Sequence, residues 1–332
     1  MSALSENTLA ICDGNNYLHR MLRQPNLNWL STSAGVSTAG TFGILQSLRR
    51  ILLHYPIKRM AFVFDAGISK RRIKVDPTYK ESRRERKDLA MSIINGTAPK
   101  NVRMDKDLTE YIQLLKDGET SRVQLRKLLP ALGIPIIELK GREADDVIGV
   151  MAIDPDLAGD SSLIISEDKD MLQLVKEDTH VYRPIADRYI NPDSFEELVG
   201  FKQRDYMMAR AVMGDTSDGI PGVMGTGEKT IRTILEKLED PSELLAHCAA
   251  AKTKRVNNIA KEWDRVQINL QLMDVRMERF ALQELQHIEA SLAYCGAIDD
   301  ESVVDQLETL EAKSMLRQFN EWALPFHTCL GK

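Results

Sequence analysis

Through the first 185 or so residues, short unbroken apolar runs alternate with stretches whose apolar positions recur every three or four residues. Leu9-Ala10-Ile11-Cys12, Met60 to Phe64, Ile134-Pro135-Ile136-Ile137 and Leu163-Ile164-Ile165 read as buried strands. Between the first two runs, Phe42, Leu45, Leu48, Ile51 and Leu52 share one helical face. Leu125, Leu128, Leu129 and Leu132 do the same before Gly133, which reads as a C-cap ahead of the next strand. Such alternation predicts an α/β fold, a doubly wound and mostly parallel central sheet flanked by helices. From about residue 195 the pattern becomes all-helical and stays so. Ile220-Pro221-Gly222-Val223-Met224-Gly225-Thr226-Gly227 reads as a tight turn, with Glu228-Lys229-Thr230 opening the helix after it. Residues 281–332 read as amphipathic helices without chemical motifs. Within them, Met315 to Trp322 fits core packing better than a partner-binding helix. No internal repeat is present.

Residues 69–120 break this rhythm. They are charged, poor in apolar periodicity and too long for an ordinary connection, the mark of a functional or partly disordered excursion. Composition alone, 43% hydrophobic and 28% charged over 332 residues, describes an ordinary globular protein with room for one large or two modest domains. No run is long enough to span a bilayer, and no signal pattern opens the chain, so a cytoplasmic setting is expected. Cys12, Cys248, Cys295 and Cys329 are scattered, which points to reduced thiols and away from zinc or disulfides.

The net charge of -5 argues against a nucleic-acid partner until its distribution is considered. Between residues 70 and 87 the chain carries Lys70, Arg71, Arg72, Lys74, Lys80, Arg83, Arg84, Arg86 and Lys87 against only Asp76, Glu81 and Glu85. A basic excursion of this kind would meet phosphate. Tyr79 among these cations could stack on an unpaired base, although charge runs also serve as plain solvated faces.

Acidic clusters supply the candidate chemistry. Asp13, Asp65 and the Asp168/Asp170 pair each follow a strand, and strand carboxyl ends are where open α/β sheets bind ligands. Glu143, Asp145 and Asp146 open a helix, and Asp215 and Asp218 flank a turn. Each cluster alone has a plainer explanation, namely an acidic first turn, an exposed Asp-Lys-Asp turn, or a cap. Capping does not explain all of them together. Nine acids on one edge would repel one another unless cations screened them, so a magnesium site is the economical reading. The glycine turn at 225–227 lacks Walker A spacing and fits a helix-hairpin-helix instead, with amides at the following helix N-terminus holding a phosphate without reading bases. No Ser/His/Asp or Cys/His constellation points to covalent catalysis.

These residues together resemble the 5'-nuclease or flap endonuclease family in its bacterial and phage branch, including the 5'-3' exonuclease domain of DNA polymerase I. The matching segments are Asp13-Gly14-x-x-Tyr17-Leu18-x-Arg20, Phe64-Asp65-Ala66-Gly67, Arg72 with Pro77-x-Tyr79-Lys80-x-x-Arg83, Glu143-Ala144-Asp145-Asp146, Asp168-Lys169-Asp170-x-x-Gln173, and Met213-Gly214-Asp215-x-Ser217-Asp218-x-Ile220-Pro221-Gly222-Val223. They run in order over roughly residues 8–235. Gly219, Met224 and Thr226 depart from the family's usual Asn, Pro and Ile.

The resemblance implies a PIN-like nuclease core over 1–190, with a helical arch at about 69–120. It places a helix-three-turn-helix and the C-terminal helices in 191–332. It also implies two or more Mg2+ ions, replaceable by Mn2+, and K+ at the helix-three-turn-helix. Asp13, Asp65, Glu143 and Asp145 would serve mainly one ion and Asp168, Asp170 and Asp218 the other. Asp145 would bridge, and Asp146 and Asp215 would act through water. Lys80 and Arg83, with Arg84 beside them, would grip the scissile phosphate. Tyr17 or Tyr79 would stack on unpaired bases, and Arg20 and Arg72 would contact DNA. Gly222, Val223, Gly225, Gly227, Lys229 and Thr230 would hold the duplex backbone.

The expected activity is two-metal hydrolysis at 5' flaps, overhangs or nicks, giving 5'-phosphates, by a monomer without a membrane and open to a clamp or single-strand-binding protein. The rival readings are RNase H-like primer removal on RNA–DNA hybrids, a non-catalytic DNA-binding protein, and a Toprim module. The hairpin and the basic segment argue against the last.

Overall fold

Among the described residues, six strands form one sheet in the order β3-β2-β1-β4-β5-β6: β1 (Thr8–Asp13), β2 (Arg59–Val63), β3 (Ile136–Ile137), β4 (Ser161–Ile165), β5 (Thr179–Arg183) and β6 (Arg188–Ile190). The computed structural model describes residues 4, 5, 7–27 and 30–331. All neighbouring strands pair in parallel except β5 and β6. β1, β2 and β4 are buried almost throughout, which is why they read as unbroken apolar runs with no alternation.

In chain order the helices of the first half are α1 (Gly14–Leu22), α2 (Ala39–His54), α3 (Lys70–Val75), α4 (Glu81–Ile94), α5 (Lys106–Ala131), α6 (Ala144–Ile153) and α7 (Pro155–Ala158). Then come α8 (Pro192–Val199), α9 (Gln203–Met213), α10 (Glu228–Leu235), α11 (Leu244–Ala250), α12 (Lys254–Lys261) and α13 (Trp263–Met273). The last are α14 (Leu282–Leu292), α15 (Asp300–Thr309), α16 (Lys313–Arg317) and α17 (Phe319–Cys329). The sequence-predicted faces are the buried ones: Leu45, Leu48, Ile51 and Leu52 of α2, and Leu125, Leu128 and Leu129 of α5. Gly133 follows α5 with φ 70°, the left-handed geometry a helix C-cap demands.

The chain divides into a sheet unit, residues 1–67, 101–191 and 279–332, and a helical unit, residues 68–100 and 192–278. This division differs from the expected boundary at 190/191 in two places. The C-terminal helices go with the sheet because Val303, Leu307, Met315, Trp322 and Phe326 share a buried core with α2, α5 and the strands. Residues 68–100 go with the helical unit because Tyr79 is buried with Ile220, Leu272 and Met273, and Ile68, Ile73 and Val75 pack around them.

The region 69–120 is helical over most of its length, through α3, α4 and the first part of α5. Its weak periodicity has a physical cause in α4, which buries only Ala90 and presents Arg83, Arg86 and Lys87 to solvent. A helix without an apolar face leaves no 3.6-residue pattern to read. Cys12, Cys248 and Cys295 are buried and Cys329 half-buried, and none of the four is in a disulfide. No helix among the described residues is long and apolar enough to cross a membrane.

Candidate active site

Three acids meet at the middle of the sheet. Asp13 ends β1, Asp65 follows β2, and Asp168 follows β4; β1 is flanked by β2 and β4, with Asp13 level with Val63 and Cys12 level with Ile165. The chain winds outward to β2 and β3 on one side of β1 and then to β4 and β5 on the other. This is the topological switch point, where carboxyl-end loops diverge and leave a crevice.

Asp13 is 3% exposed. One carboxylate oxygen caps α1 by accepting from the Asn16 amide at 3.1 Å, and the other accepts from the Ser166 hydroxyl at 2.8 Å. Burial, and then repulsion from Asp168, push its carboxyl up to about 7; the Asn16 and Ser166 donors pull it back, and Asp65 adds a smaller repulsion. Asp65 accepts from the Ala144 amide at 2.7 Å and from the Asn15 side chain, so the end of β2 caps the helix that carries Glu143, Asp145 and Asp146. Glu143 is the buried N-cap of α6, Asp145 is half-buried, and Asp146 is fully buried. The Asp168 amide donates to Ser166 Oγ at 2.9 Å, and its carboxylate accepts from the Asp170 amide at 2.8 Å.

Among the described residues, no three Asp, Glu, His or Cys side chains converge closely enough to cage an ion as they stand. Asp13, Asp65 and Asp168 each turn at least one oxygen onto an internal N–H or O–H. The set nonetheless suits a hard divalent cation. All its donors are carboxylate oxygens, and the repulsion that raises Asp13 is what a cation would relieve. Asn15, Asn16 and Ser166, which aim these carboxylates, were not singled out from sequence. Their signal was position alone, directly behind Asp13-Gly14 and directly after β4.

In the helical unit, Lys80 has φ 55° and is the N-cap residue ahead of α4. Its amide donates to the Asp218 carbonyl at 2.9 Å and its Nζ lies 3.5 Å from the Asp218 carboxylate. Arg83 Nη1 lies 3.0 Å from the other Asp218 oxygen, Oδ1, and the Tyr79 hydroxyl donates at 3.4 Å to Oδ2, the oxygen that Lys80 approaches. Asp218 thus gathers both cations expected to grip phosphate. Asp215 caps the turn at 216–218 through Ser217 and pairs with Arg210 at 2.8 Å. Burial pushes its carboxyl up, but Ser217 and Arg210 outweigh this and hold it below its ordinary value.

The hairpin between α9 and α10 closes through paired backbone bonds of Asp215 and Ile220 at 2.7 and 2.8 Å. Buried Asn269 of α13 donates to the carbonyls of Ala211 and Pro221 at 2.7 and 2.8 Å. A Cβ on Gly222 would fall 2.0 Å from the Met213 carbonyl oxygen, so only glycine lets the turn close on α9. Val223 is buried, Gly225 has φ 78°, and Gly227 precedes α10, leaving Lys229 exposed and Thr230 half-buried in its first turn.

Three expected DNA contacts need correction. Tyr17 is 1% exposed and stacks on Phe62, with ring centroids 6.3 Å apart, so its ring is core and cannot reach a base. Tyr79 is 4% exposed in the helical unit's cluster and holds Lys80 5.0 Å above its ring centroid. Arg72 is 2% exposed and spends its Nε on the Leu272 carbonyl at 2.7 Å, which makes it a buried brace. Tyr17 and Arg72 stand in segments that resemble the family's motifs, and Tyr79 also stands among cations, but packing has claimed all three side chains. Arg20 is exposed on the last turn of α1, and Arg84 donates to the Pro77 carbonyl at 3.0 Å.

Comparison with known proteins adds to this geometry. Residues 8–200 match the family model described as 5'-3' exonuclease, N-terminal resolvase-like domain, and residues 201–294 match 5'-3' exonuclease, C-terminal SAM fold. The chain is 27% identical over 322 residues to the 5'-3' exonuclease of Aquifex aeolicus, covering 95% of this chain and 96% of that protein. It is 28% identical over 310 residues to the thermostable DNA polymerase I of Thermus caldophilus, covering 93% of this chain and 33% of the relative, so it spans about a third of that polymerase. A variant of the bacteriophage T5 flap endonuclease, solved with DNA and metal ions, shares the fold with a TM-score of 0.60 at 22% identity, over 91% of this chain and 99% of that one.

Proposed function

Because the chain belongs to the 5'-3' exonuclease family, we propose that it hydrolyses DNA phosphodiesters at 5' flaps, 5' overhangs or nicks and leaves 5'-phosphates. The observation that carries this reading is the convergence of Asp13, Asp65 and Asp168 on the switch point of the sheet, with Asp13 raised to about 7 by burial and by its acidic neighbours. Asp13, Asp65, Glu143, Asp145, Asp168 and Asp170 would hold the divalent ions, Mg2+ or Mn2+. When bound, these supply Lewis acidity and lower the pKa of water.

The chain's own groups do the rest. Ser166 and Asn16 orient Asp13, and the Ala144 amide and Asn15 orient Asp65. Lys80 and Arg83 neutralise charge on the phosphate, and their shared partner Asp218 keeps them together. A share for Asp218 in metal binding competes with those two cations, and Asp215 is already engaged by Arg210 and Ser217. The amides opening α10, with Lys229, would hold a duplex phosphate without reading bases, and K+ would sit at this hairpin. Terminal nucleotides must unpair to bring a phosphate to a carboxylate-lined edge, at a cost of about a few kcal/mol.

The test uses end-labelled flap, overhang, blunt duplex and RNA-primed substrates, each with Mg2+, with Ca2+ and without metal. Divalent-dependent release from the 5' end of flaps and overhangs is expected. Preference for the RNA-primed strand would redirect the reading to primer removal. No divalent-dependent 5' cleavage of any substrate would refute it.

A further inference from the structure

The loop that leads into α6 is braced from the C-terminal segment. Residues 139–143 belong to no helix or strand, yet they carry Glu143 and deliver the Ala144 amide to Asp65 at 2.7 Å. Their contact with the end of β2 is close. The Ala66 amide donates to the Arg142 carbonyl at 3.1 Å, and the Gly141 amide donates to the Ala66 carbonyl at 2.8 Å. A Cβ on Gly67 would fall 2.4 Å from the Gly141 Cα. Any shift of 139–143 therefore moves Asp65 and Glu143 relative to each other.

On its other side this loop is held through the Arg142 side chain. Arg142 forks onto Glu284, with Nε to Oε1 and Nη2 to Oε2 both 2.8 Å, and its Nη2 also donates to the Arg279 carbonyl at 2.9 Å. Its guanidinium lies 4.7 Å from the centroid of the Phe280 ring. Glu284 is itself fixed, because its Oε2 accepts from the Ala281 amide at 2.7 Å at the start of α14. Both side chains are mostly shielded, 18% and 24% exposed. A two-point fork of this kind specifies orientation as well as proximity.

We infer that Arg142 and Glu284 are positioning residues for the metal centre, their fork anchoring the 139–143 loop to α14 so that Asp65 and Glu143 keep a common register. Neither group touches an ion or the substrate. Their effect passes through the loop backbone, as outer partners of metal ligands commonly act. The inference rests on the nuclease reading, and it gives the C-terminal helices, otherwise without a chemical motif, a part in the chemistry.

The test is divalent binding without DNA, by Mn2+ electron paramagnetic resonance and Mg2+ calorimetry, on wild type, Glu284→Ala, Glu284→Gln, Arg142→Lys and the double Arg142→Ala/Glu284→Ala. Thermal unfolding in EDTA checks folding. Glu284→Ala and Arg142→Lys should each weaken divalent affinity by about 10-fold. Glu284→Gln, which keeps an acceptor, should lose less, and the double variant should lose less than the product of the two single losses, because both substitutions remove the same fork while Arg142→Ala also removes the bond to the Arg279 carbonyl. If Glu284→Ala does not fold, Glu284→Gln and Arg142→Lys decide. Folded variants that bind metal as wild type does overturn the inference alone. Wild type that binds no divalent ion overturns the nuclease reading and this inference with it.

Discussion

Replacing Asp13 by Asn should make the metal-free protein more stable above neutral pH while ending cleavage. Asp13 in the fold titrates near 7 against an ordinary value of 3.8, mainly through burial and then through Asp168. The folded state therefore binds more protons than the unfolded chain between these values, and stability falls as pH rises through that window. Below it the carboxyl is neutral in both states and costs nothing. Above it the full cost stands, about 3 pKa units at about 1.4 kcal/mol each, or roughly 4 kcal/mol. Asn cannot ionise, so it escapes that cost. It can still accept from the Asn16 amide, and it loses one neutral acceptor facing Ser166, worth about 1 kcal/mol; the ionised form's bond to Ser166 is already contained in the raised pKa. The net gain at pH 8 is roughly 3 kcal/mol, a rise of roughly 5 °C in Tm. The assay is thermal unfolding in EDTA at pH 8 and pH 4, repeated with Mg2+. The Asp13→Asn variant should unfold later than wild type at pH 8, lose that advantage at pH 4, and gain less from Mg2+ than wild type does. A variant that is less stable at pH 8, or equally advantaged at both pH values, would refute the electrostatic account of the sheet edge.

Asp65→Asn and Asp168→Asn should each abolish Mg2+-dependent cleavage while retaining fold and most DNA affinity; near-normal turnover in either would show that the metal set is misassigned. Lys80→Ala should slow single-turnover cleavage far more than it weakens binding, since Lys80 acts on developing phosphate charge; a loss confined to affinity would make it a tether. Tyr17→Phe should leave flap binding and cleavage within about twofold of wild type, whereas Tyr17→Ala should cost about 3–5 kcal/mol in unfolding free energy by emptying the core beside Phe62. A DNA-binding defect in a stable Tyr17→Phe would restore its stacking role.

How much of this was readable beforehand depended on whether burial writes a period into the chain. β1, β2 and β4 are buried on both faces, so they appear as unbroken apolar runs, and α2 and α5 each bury one face, so their leucines recur at helical spacing. α4 buries one residue and carries no such period, and a helical segment there read as an excursion. The affiliation of α15 to α17 with the sheet was hidden for a different reason. Amphipathic spacing shows that Val303, Leu307, Trp322 and Phe326 face a core but does not say which one.

At the candidate site the same asymmetry separates acids from aromatics and cations. A carboxylate that follows a strand has its position set by the sheet, so Asp13, Asp65 and Asp168 could be placed on one edge from spacing alone. A tyrosine or arginine has a long apolar body that packing can claim, and it did so at Tyr17, Tyr79 and Arg72. Chemistry that suits a ligand therefore identifies a contact only for side chains that the core has no use for. Asn15, Asn16 and Ser166 show the converse. They are small, ordinary in sequence, and visible as functional only once their bonds to Asp13, Asp65, Glu167 and Asp168 are drawn. Because Asn15, the Asn16 amide and Ser166 already donate to oxygens of Asp65 and Asp13, a divalent ion shares those oxygens with donors built into the fold. Removing the Ser166 hydroxyl should therefore raise the Asp13 pKa further, and any gain in metal affinity would measure how strongly that donor restrains the site.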